Sequence, residues 1–501
     1  MKKINIFILL SLIILALAGC TSKDDGSKDI NLQTKTIIDE DLNGLIVEDI
    51  NHYKIDIKLD EKDKTYSGVQ ETRFKNKTGQ PLKEIYFRLY PNAFKTLEGS
   101  PIVLEESRYT EKTFKEGYID IESISVKGKD LAYKIEGVDD TVLKIKLDED
   151  LMQDEEISID MDYFVKLPTS QDRFGYGKDT MNFGNWYPVL SVHDEDGWSE
   201  DPYYSIGDPF YTDISDYDVN IRLDKDIIVA SSGNIVEERV EDGEKIYKIE
   251  GKRLRDFAFS ASREFKIREE ERDGIVVRLY YLEEKEELIE ASLKYAGDSI
   301  EVFNKSFGKY PYGVYSVVFT EFPSGMEYPG VVFIGKQFFN KDALEYMEQV
   351  IVHETAHQWW YGLVGNDEVK EAWLDEGLTS YSEVIYMDNI YGKEKGDEYF
   401  HYNMETGYEV MRDYLKVDDL TINKPVDKFQ DWDDYGLLVY TKSAMFLRDI
   451  EDSYSEEILI KILEDYFQAN KYKNASTIDF ADSFEKVTGD SFKAMNDKWL
   501  K

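Results

Sequence analysis

Cysteine is almost absent: the 501 residues contain one, Cys20. A lone thiol cannot close an internal disulfide, and it excludes a zinc site built from cysteines. Positive charge is also short. Against 102 Asp and Glu stand 61 Lys and Arg, a formal net charge of −41. Such a surface repels phosphate backbones, which argues against a nucleic-acid partner. The acids are spread rather than blocked, and aromatic residues make up 14% of the chain. That combination marks a solvated globular surface, not a disordered acidic tail. Histidine is scarce too, with five residues, so the spacing of those few carries information.

Long apolar runs are missing except at the start. Ile6 to Ala18 is apolar apart from Ser11 and follows Lys2 and Lys3. It is short for a membrane span and reads as a secretion signal. It ends in Leu17-Ala18-Gly19-Cys20, small residues before a cysteine, which resembles the lipobox of bacterial lipoproteins. That resemblance implies cleavage of 1–19 as a signal peptide and lipid on Cys20. The protein would then sit on the extracytoplasmic face of the bacterial cell membrane. An ordinary signal or an uncleaved anchor is the alternative. Residues 20–49 are polar and read as a tether.

Beyond the tether, alternation of period two dominates. Tyr53, Ile55, Ile57 and Leu59 alternate with polar residues, as do Ile157 to Tyr163 and Tyr217 to Leu223. This predicts an antiparallel β domain, a sandwich or saddle, over 50–266. From 267 the pattern changes. A strand over 275–282 precedes a helix whose apolar face is Ile289, Leu293, Ala296, Ile300, Phe303 and Phe307. Two further strands flank a turn at Pro323 to Gly330, and from Asp342, read with Glu345 as a capping box, the chain is mostly helical. A few strands followed by many helices predict an α+β domain over 267–501.

The densest signal lies in that second part. His353 and His357 are four apart, and Glu354 lies between them. On a helix the two imidazoles project from one face, one turn apart, and can share a zinc ion. Glu376, from Trp373-Leu374-Asp375-Glu376-Gly377, can supply a third ligand. A fourth position left open for water marks a catalytic rather than a structural site. Glu354, off the metal axis, can take a proton from that water. Chance spacing on a buried helix is the competing reading, and so few histidines make it a poor one.

His-Glu-x-x-His, eighteen residues, then Glu is similar to the gluzincin zinc peptidases. Ser324-Gly325-Met326-Glu327-Tyr328 resembles the exopeptidase motif Gly-Ala-Met-Glu-Asn, and Tyr440-Thr441-Lys442-Ser443-Ala444 resembles the catalytic-tyrosine segment. Together, and with Asn185-Trp186-Tyr187-Pro188 in the β part, they resemble the aminopeptidase N-like family, peptidase family M-one. The resemblance implies a multidomain fold with a thermolysin-like catalytic domain after the β domain, and no C-terminal helical roof domain. It implies one Zn2+ per chain on His353, His357 and Glu376, with Glu354 as general base. Tyr440 would donate to the oxyanion. Glu327 would pair with the free α-ammonium of a peptide substrate, while the backbone of Gly325 and Met326 lies along it. Ser324 and Gly325 in place of Gly-Ala, and Tyr328 in place of Asn, imply a first subsite of altered depth or width. A second amine-binding residue from the β part has no match at Asp179 to Asn182. The function implied is a zinc aminopeptidase acting outside the cytoplasmic membrane; the alternative is a zinc endopeptidase with an open cleft and no need for a free amine.

Other signals are weaker. His52, His193 and His401 lack partners at ligand spacing, and Asp194 to Gly197 reads as an acidic surface turn rather than a calcium loop. Asp431 to Asp434 reads as a solvated loop rim, and Trp359 and Trp360 as core or cleft wall. No feature of the sequence specifies an oligomeric state.

Overall fold

The computed structural model describes residues 41–101 and 112–501. The signal segment, Cys20 and most of the tether lie outside the described residues. In Asn51–Asp60 the side chains of Tyr53, Ile55, Ile57 and Leu59 are buried and those of the polar residues between them are exposed. The same period runs through Thr65–Lys75, Glu156–Lys166 and Ser215–Asp224, so each strand buries one face. These four are the centre of an eight-stranded sheet that continues on one side through Glu244–Leu254 to Asn234–Glu241 and on the other through Tyr118–Val126 to Lys129–Asp130.

One pairing departs from the antiparallel expectation. Asn51–Asp60 and Ser215–Asp224 run parallel, with Ile55 opposite Val219. A parallel neighbour needs a long crossover, and the chain between these strands, which includes all four strands of one four-stranded sheet and two of another, supplies it. Asn185 to Pro188 sits in the core of this part. Trp186 and Tyr187 are fully buried; the Trp186 indole donates to the Phe257 carbonyl at 2.9 Å, and the Tyr187 and Tyr217 hydroxyls are hydrogen-bonded at 3.0 Å.

A five-stranded sheet begins at Lys266–Arg272 and runs in the order Lys266–Arg272, Ile275–Tyr281, Val314–Thr320, Val331–Gly335, Gly325–Met326. The last of these is an edge strand, antiparallel to Val331–Gly335. Helix α1 (Glu286–Ser306) buries Ile289, Leu293, Ala296, Ile300 and Phe303 along one face, as the period of the sequence requires. Helix α2 (Leu344–Ala356) carries the histidine motif. Its start differs from expectation, because Asp342 and Glu345 form no capping box. A 3-10 turn over Lys341–Ala343 intervenes, and Asn340 caps it by accepting the Asp342 N–H at 3.2 Å. That turn takes up the first free donors, so α2 begins at Leu344 without a side-chain cap.

Helices α3 (Glu368–Glu371) and α4 (Trp373–Tyr391) follow a short strand, Val364–Asn366, that pairs with Lys473–Ala475. Buried Arg255, from the β-rich part, binds this junction. Its guanidinium donates to the carbonyls of Tyr361 at 2.7 Å and Lys473 at 2.9 Å. A cation donating to several carbonyls in the interior satisfies its own desolvation and locks the segment between the histidine motif and Glu376. Among the described residues no helix is long and apolar enough to cross a membrane.

Candidate active site

On α2, residues 346, 350, 353 and 357 fall within a narrow stripe, because steps of three and four return to one face. That stripe faces a cavity of about 300 Å³ whose wall includes Tyr346, Val350, His353 and His357. The imidazole centroids of His353 and His357 are 4.8 Å apart. Trp359 and Trp360, just beyond, are buried in the core.

Helix α4 lies opposite and orients both rings. His353 Nδ1 is 2.6 Å from Glu383 Oε1, and His357 Nδ1 is 2.5 Å from Asp375 Oδ1, with the Thr379 hydroxyl at 3.1 Å. With Nδ1 engaged on each ring, both Nε2 atoms turn to Glu376, whose Oε2 is 3.2 Å from that of His353 and 3.3 Å from that of His357. The three ligand atoms lie within 4.8 Å of one another. Two imidazole nitrogens and one carboxylate oxygen, backed by carboxylates on the far ring nitrogens, are the donor set of a catalytic zinc site. The residues therefore fit that metal. Burial opposes ionisation of Glu376, but the His357 and His353 rings outweigh it and hold its carboxyl well below the ordinary range. Burial likewise opposes charge on His353, and the Glu376 and Glu383 carboxylates reverse this, raising its pKa to about 10.

Glu354 is buried beside the ligands, and its Oε2 has no hydrogen-bond partner among the described residues. Burial pushes its carboxyl up to about 7, against the pull of the two histidines. Gly325 makes room for it: a Cβ at 325 would stand 1.9 Å from Glu354 Oε1. Glu327 is buried too, with Oε1 unpartnered. Its oxygen, that of Glu354 and a His357 nitrogen lie within 4.8 Å of one another. Burial, then the neighbouring Asp208 carboxylate, raises the Glu327 pKa well above the ordinary range. The Tyr440 hydroxyl donates to Glu376 Oε1 at 2.5 Å, and its ring stacks on that of His353 at 5.8 Å. Burial and the Glu376 charge raise its pKa well above 10, so the hydroxyl keeps its proton.

Every residue expected at the site except Met326 and Cys20 thus lines one cavity. Met326 is buried instead, and its sulfur accepts from Arg173 Nε at 3.2 Å; its backbone remains in the edge strand. The expectation that Tyr328 shapes the first subsite is corrected. Its side chain is fully buried against Phe333, and a Cβ at Gly184 would stand 1.7 Å from its hydroxyl, so it fills core beside a position that has to be glycine. Asp179 is used elsewhere, in an ion pair with Lys336 at 2.6 Å.

Several site residues carry no sequence signal. Arg173 and Asp208 form a buried ion pair on the cavity wall, and no spacing marks them. Asp375 and Glu383 were legible in principle, since Asp375 adjoins Glu376 and Glu383 lies two turns further on. The minor signals resolve plainly. Lys370 pairs with Asp196 at 2.9 Å and with Asp194 at 3.7 Å. His401 is exposed and bonded to Glu405. Asp431 caps the helix Trp432–Tyr435, and Trp432 joins the cavity wall.

Residues 291–499 match the model of the Peptidase family M1 domain. This chain carries an M1 domain. Aminopeptidase 2, mitochondrial, of Saccharomyces cerevisiae is 26% identical over 300 residues, 56% of this chain and 31% of the yeast protein. Leucine aminopeptidase 2 of Emericella nidulans is 31% identical over 181 residues, 34% of this chain and 28% of that protein. Aminopeptidase N of Streptomyces lividans is 25% identical over 210 residues, 38% of this chain and 23% of that protein. The chain therefore spans about a quarter to a third of the length of the curated relatives it matches. An M1 zinc metallopeptidase from Deinococcus radiodurans superposes with a TM-score of 0.64 at 15% identity, covering 90% of this chain and 94% of that one. A two-domain M1 zinc metallopeptidase bound to L-arginine gives 0.63 at 14% identity, with the same coverage. The M1 domain and its β-rich N-terminal part share the fold of those structures.

Proposed function

We propose that this protein is a zinc metallo-aminopeptidase that removes N-terminal residues from peptides. One observation carries the reading: the Glu327 carboxylate stands beside Glu354 and His357 at one end of the ligand set. A carboxylate there pairs with a free α-ammonium and leaves the first peptide bond over the metal position. His353, His357 and Glu376 would hold the zinc. When bound, it would polarise the scissile carbonyl and make the attacking water more acidic. Glu354 accepts a proton from that water and carries it to the leaving amine. Tyr440, still protonated, turns from Glu376 to donate to the oxygen that gains charge.

Aminoacyl fluorogenic substrates, each paired with its N-acetylated control, test this. Acetylation is expected to abolish turnover, and Glu327→Ala to raise KM for free amines while the protein still holds metal. Equal cleavage of acetylated peptides would favour the endopeptidase alternative. For location we propose the extracytoplasmic face of the membrane through lipid on Cys20, resting on the first twenty residues of the sequence alone; a lipid-alkyne label that persists in Cys20→Ser would refute it. We place the start of the catalytic domain near residue 267, where the five-stranded sheet begins.

A further inference from the structure

Two carboxylates of α4 do the same work and are surrounded differently. Glu383 gives Oε1 to His353 Nδ1, and its Oε2 accepts from the Tyr399 hydroxyl and from Gln349 Nε2, the latter at 3.2 Å. Asp375 gives Oδ1 to His357 Nδ1, but its Oδ2 is buried and has no hydrogen-bond partner among the described residues. A buried carboxylate oxygen left so is costly and marks a missing neighbour.

Other acids bound the space beside it. Glu327, Glu368 and Asp375 are 3%, 2% and 1% exposed, and one oxygen of each lies within 4.8 Å of the others. Glu327 Oε1 and Glu368 Oε2 are also unpartnered among the described residues. The three come from separate segments: the residue after the edge strand Gly325–Met326, the start of α3 and the first turn of α4. Glu327 lines the catalytic cavity, whereas Glu368 and Asp375 lie behind its wall. A neutral oxygen stands near them. The Tyr361 hydroxyl is buried and unpartnered among the described residues, and burial, then the charges of Asp256, Glu368 and Glu327, keep it protonated.

Three buried carboxylates at this spacing repel one another unless protons or a cation stand between them. Protons fit poorly. Asp375 has to stay ionised to fix the His357 ring, and Glu327 has to stay ionised to meet an ammonium, the second point resting on the aminopeptidase reading. Every donor is an oxygen, which suits a hard cation rather than a second zinc. Calcium takes oxygens at about 2.3–2.6 Å, so ligands on opposite sides of it are roughly 4.6–5.2 Å apart. Three oxygens within 4.8 Å of one another can surround that ion as they stand. Magnesium keeps several waters, for which groups buried this completely leave little room.

We propose that Glu327, Glu368 and Asp375 form a second metal site, which takes one calcium ion behind the amine end of the cleft with the Tyr361 hydroxyl as a further donor. The ion ties the carboxylate that meets the substrate amine to the carboxylate that orients a zinc ligand.

The test uses the zinc-loaded full chain, freed of calcium on a chelating resin and checked for retained zinc by mass spectrometry. Calorimetric titration with calcium chloride is expected to show one ion per chain and to be matched by a rise in thermal midpoint. KM for leucine p-nitroanilide should fall as the site fills. Glu368→Gln keeps the shape and removes one charge; it should weaken calcium binding about tenfold or more while zinc content stays the same. Binding that this variant leaves unaltered belongs to the acidic surface and overturns the site. So does an anomalous map of calcium-soaked wild-type crystals with water alone at the three carboxylates. A bound ion that leaves KM unmoved overturns the link to the amine end. Equal cleavage of acetylated substrates, with calcium binding still dependent on Glu368, overturns the aminopeptidase reading and leaves the metal site standing.

Discussion

Asp375 and Glu376, neighbours in the chain, hold the two nitrogens of one imidazole: Asp375 Oδ1 is 2.5 Å from His357 Nδ1, and Glu376 Oε2 is 3.3 Å from its Nε2. Both residues are in the first turn of α4, and the ring lies between their side chains. One carboxylate fixes the orientation and tautomer, while the other shares the metal position.

Removing that support should loosen the metal without removing a ligand. Asp375→Ala is expected to weaken zinc binding by about 10- to 100-fold, and Glu383→Gln by less, since it keeps an acceptor for His353. Competition against a chromogenic chelator measures both. Affinities equal to wild type would show that the rings are held by packing alone.

Glu354→Gln should retain zinc, because the substituted side chain is not among the three ligands. Turnover should fall by about 10² to 10⁴, the range for loss of a general base. Metal content by mass spectrometry, alongside single-turnover rates, separates the chemical step from the metal.

Gly325→Ala tests the crowding across the cavity. A methyl 1.9 Å from Glu354 Oε1 has to displace the carboxylate or the edge strand. Activity is expected to drop at least tenfold with little change in thermal midpoint, because the strand lies at the rim of the sheet. Full activity would mean that Glu354 works from a different position.

Asp256 gives a pH signature remote from the metal. It accepts from Asn185 at 2.9 Å, from Tyr187 at 3.1 Å and from its neighbour's backbone N–H at 2.6 Å. Burial nonetheless raises its pKa to about 6. Above its unfolded value and below 6, the native state binds the extra proton. The group's stabilisation is therefore whole below about pH 4 and fades as pH rises through 6, by roughly 3 kcal/mol in all. In Asp256→Asn that slope should vanish, so the difference between wild-type and variant denaturation midpoints should shift between pH 4 and 7 and stay flat above.

Much of the site can be read from residue order because helices convert spacing into geometry. A spacing of four from His353 to His357 on a helix places two rings on one side whatever surrounds them. The alternation in Asn51–Asp60 likewise specifies a strand with one buried face. The start of α2 could not be read so simply, since Asn340 competes locally for the donors that Asp342 and Glu345 were expected to cap.

The sequence by itself determined the ligand types, the base between them, the β-then-helical order and the acidic character of the surface, all of which depend on composition or on neighbours within a few positions. Only the tertiary structure decided that Asp375 and Glu383 orient the rings and that Arg173 and Asp208 reach the cavity wall. It also decided that Tyr328 belongs to the core and that Asn51–Asp60 pairs in parallel with Ser215–Asp224. Those relations join residues far apart in the chain. They are set by how sheets and helices pack, and no local periodicity encodes that.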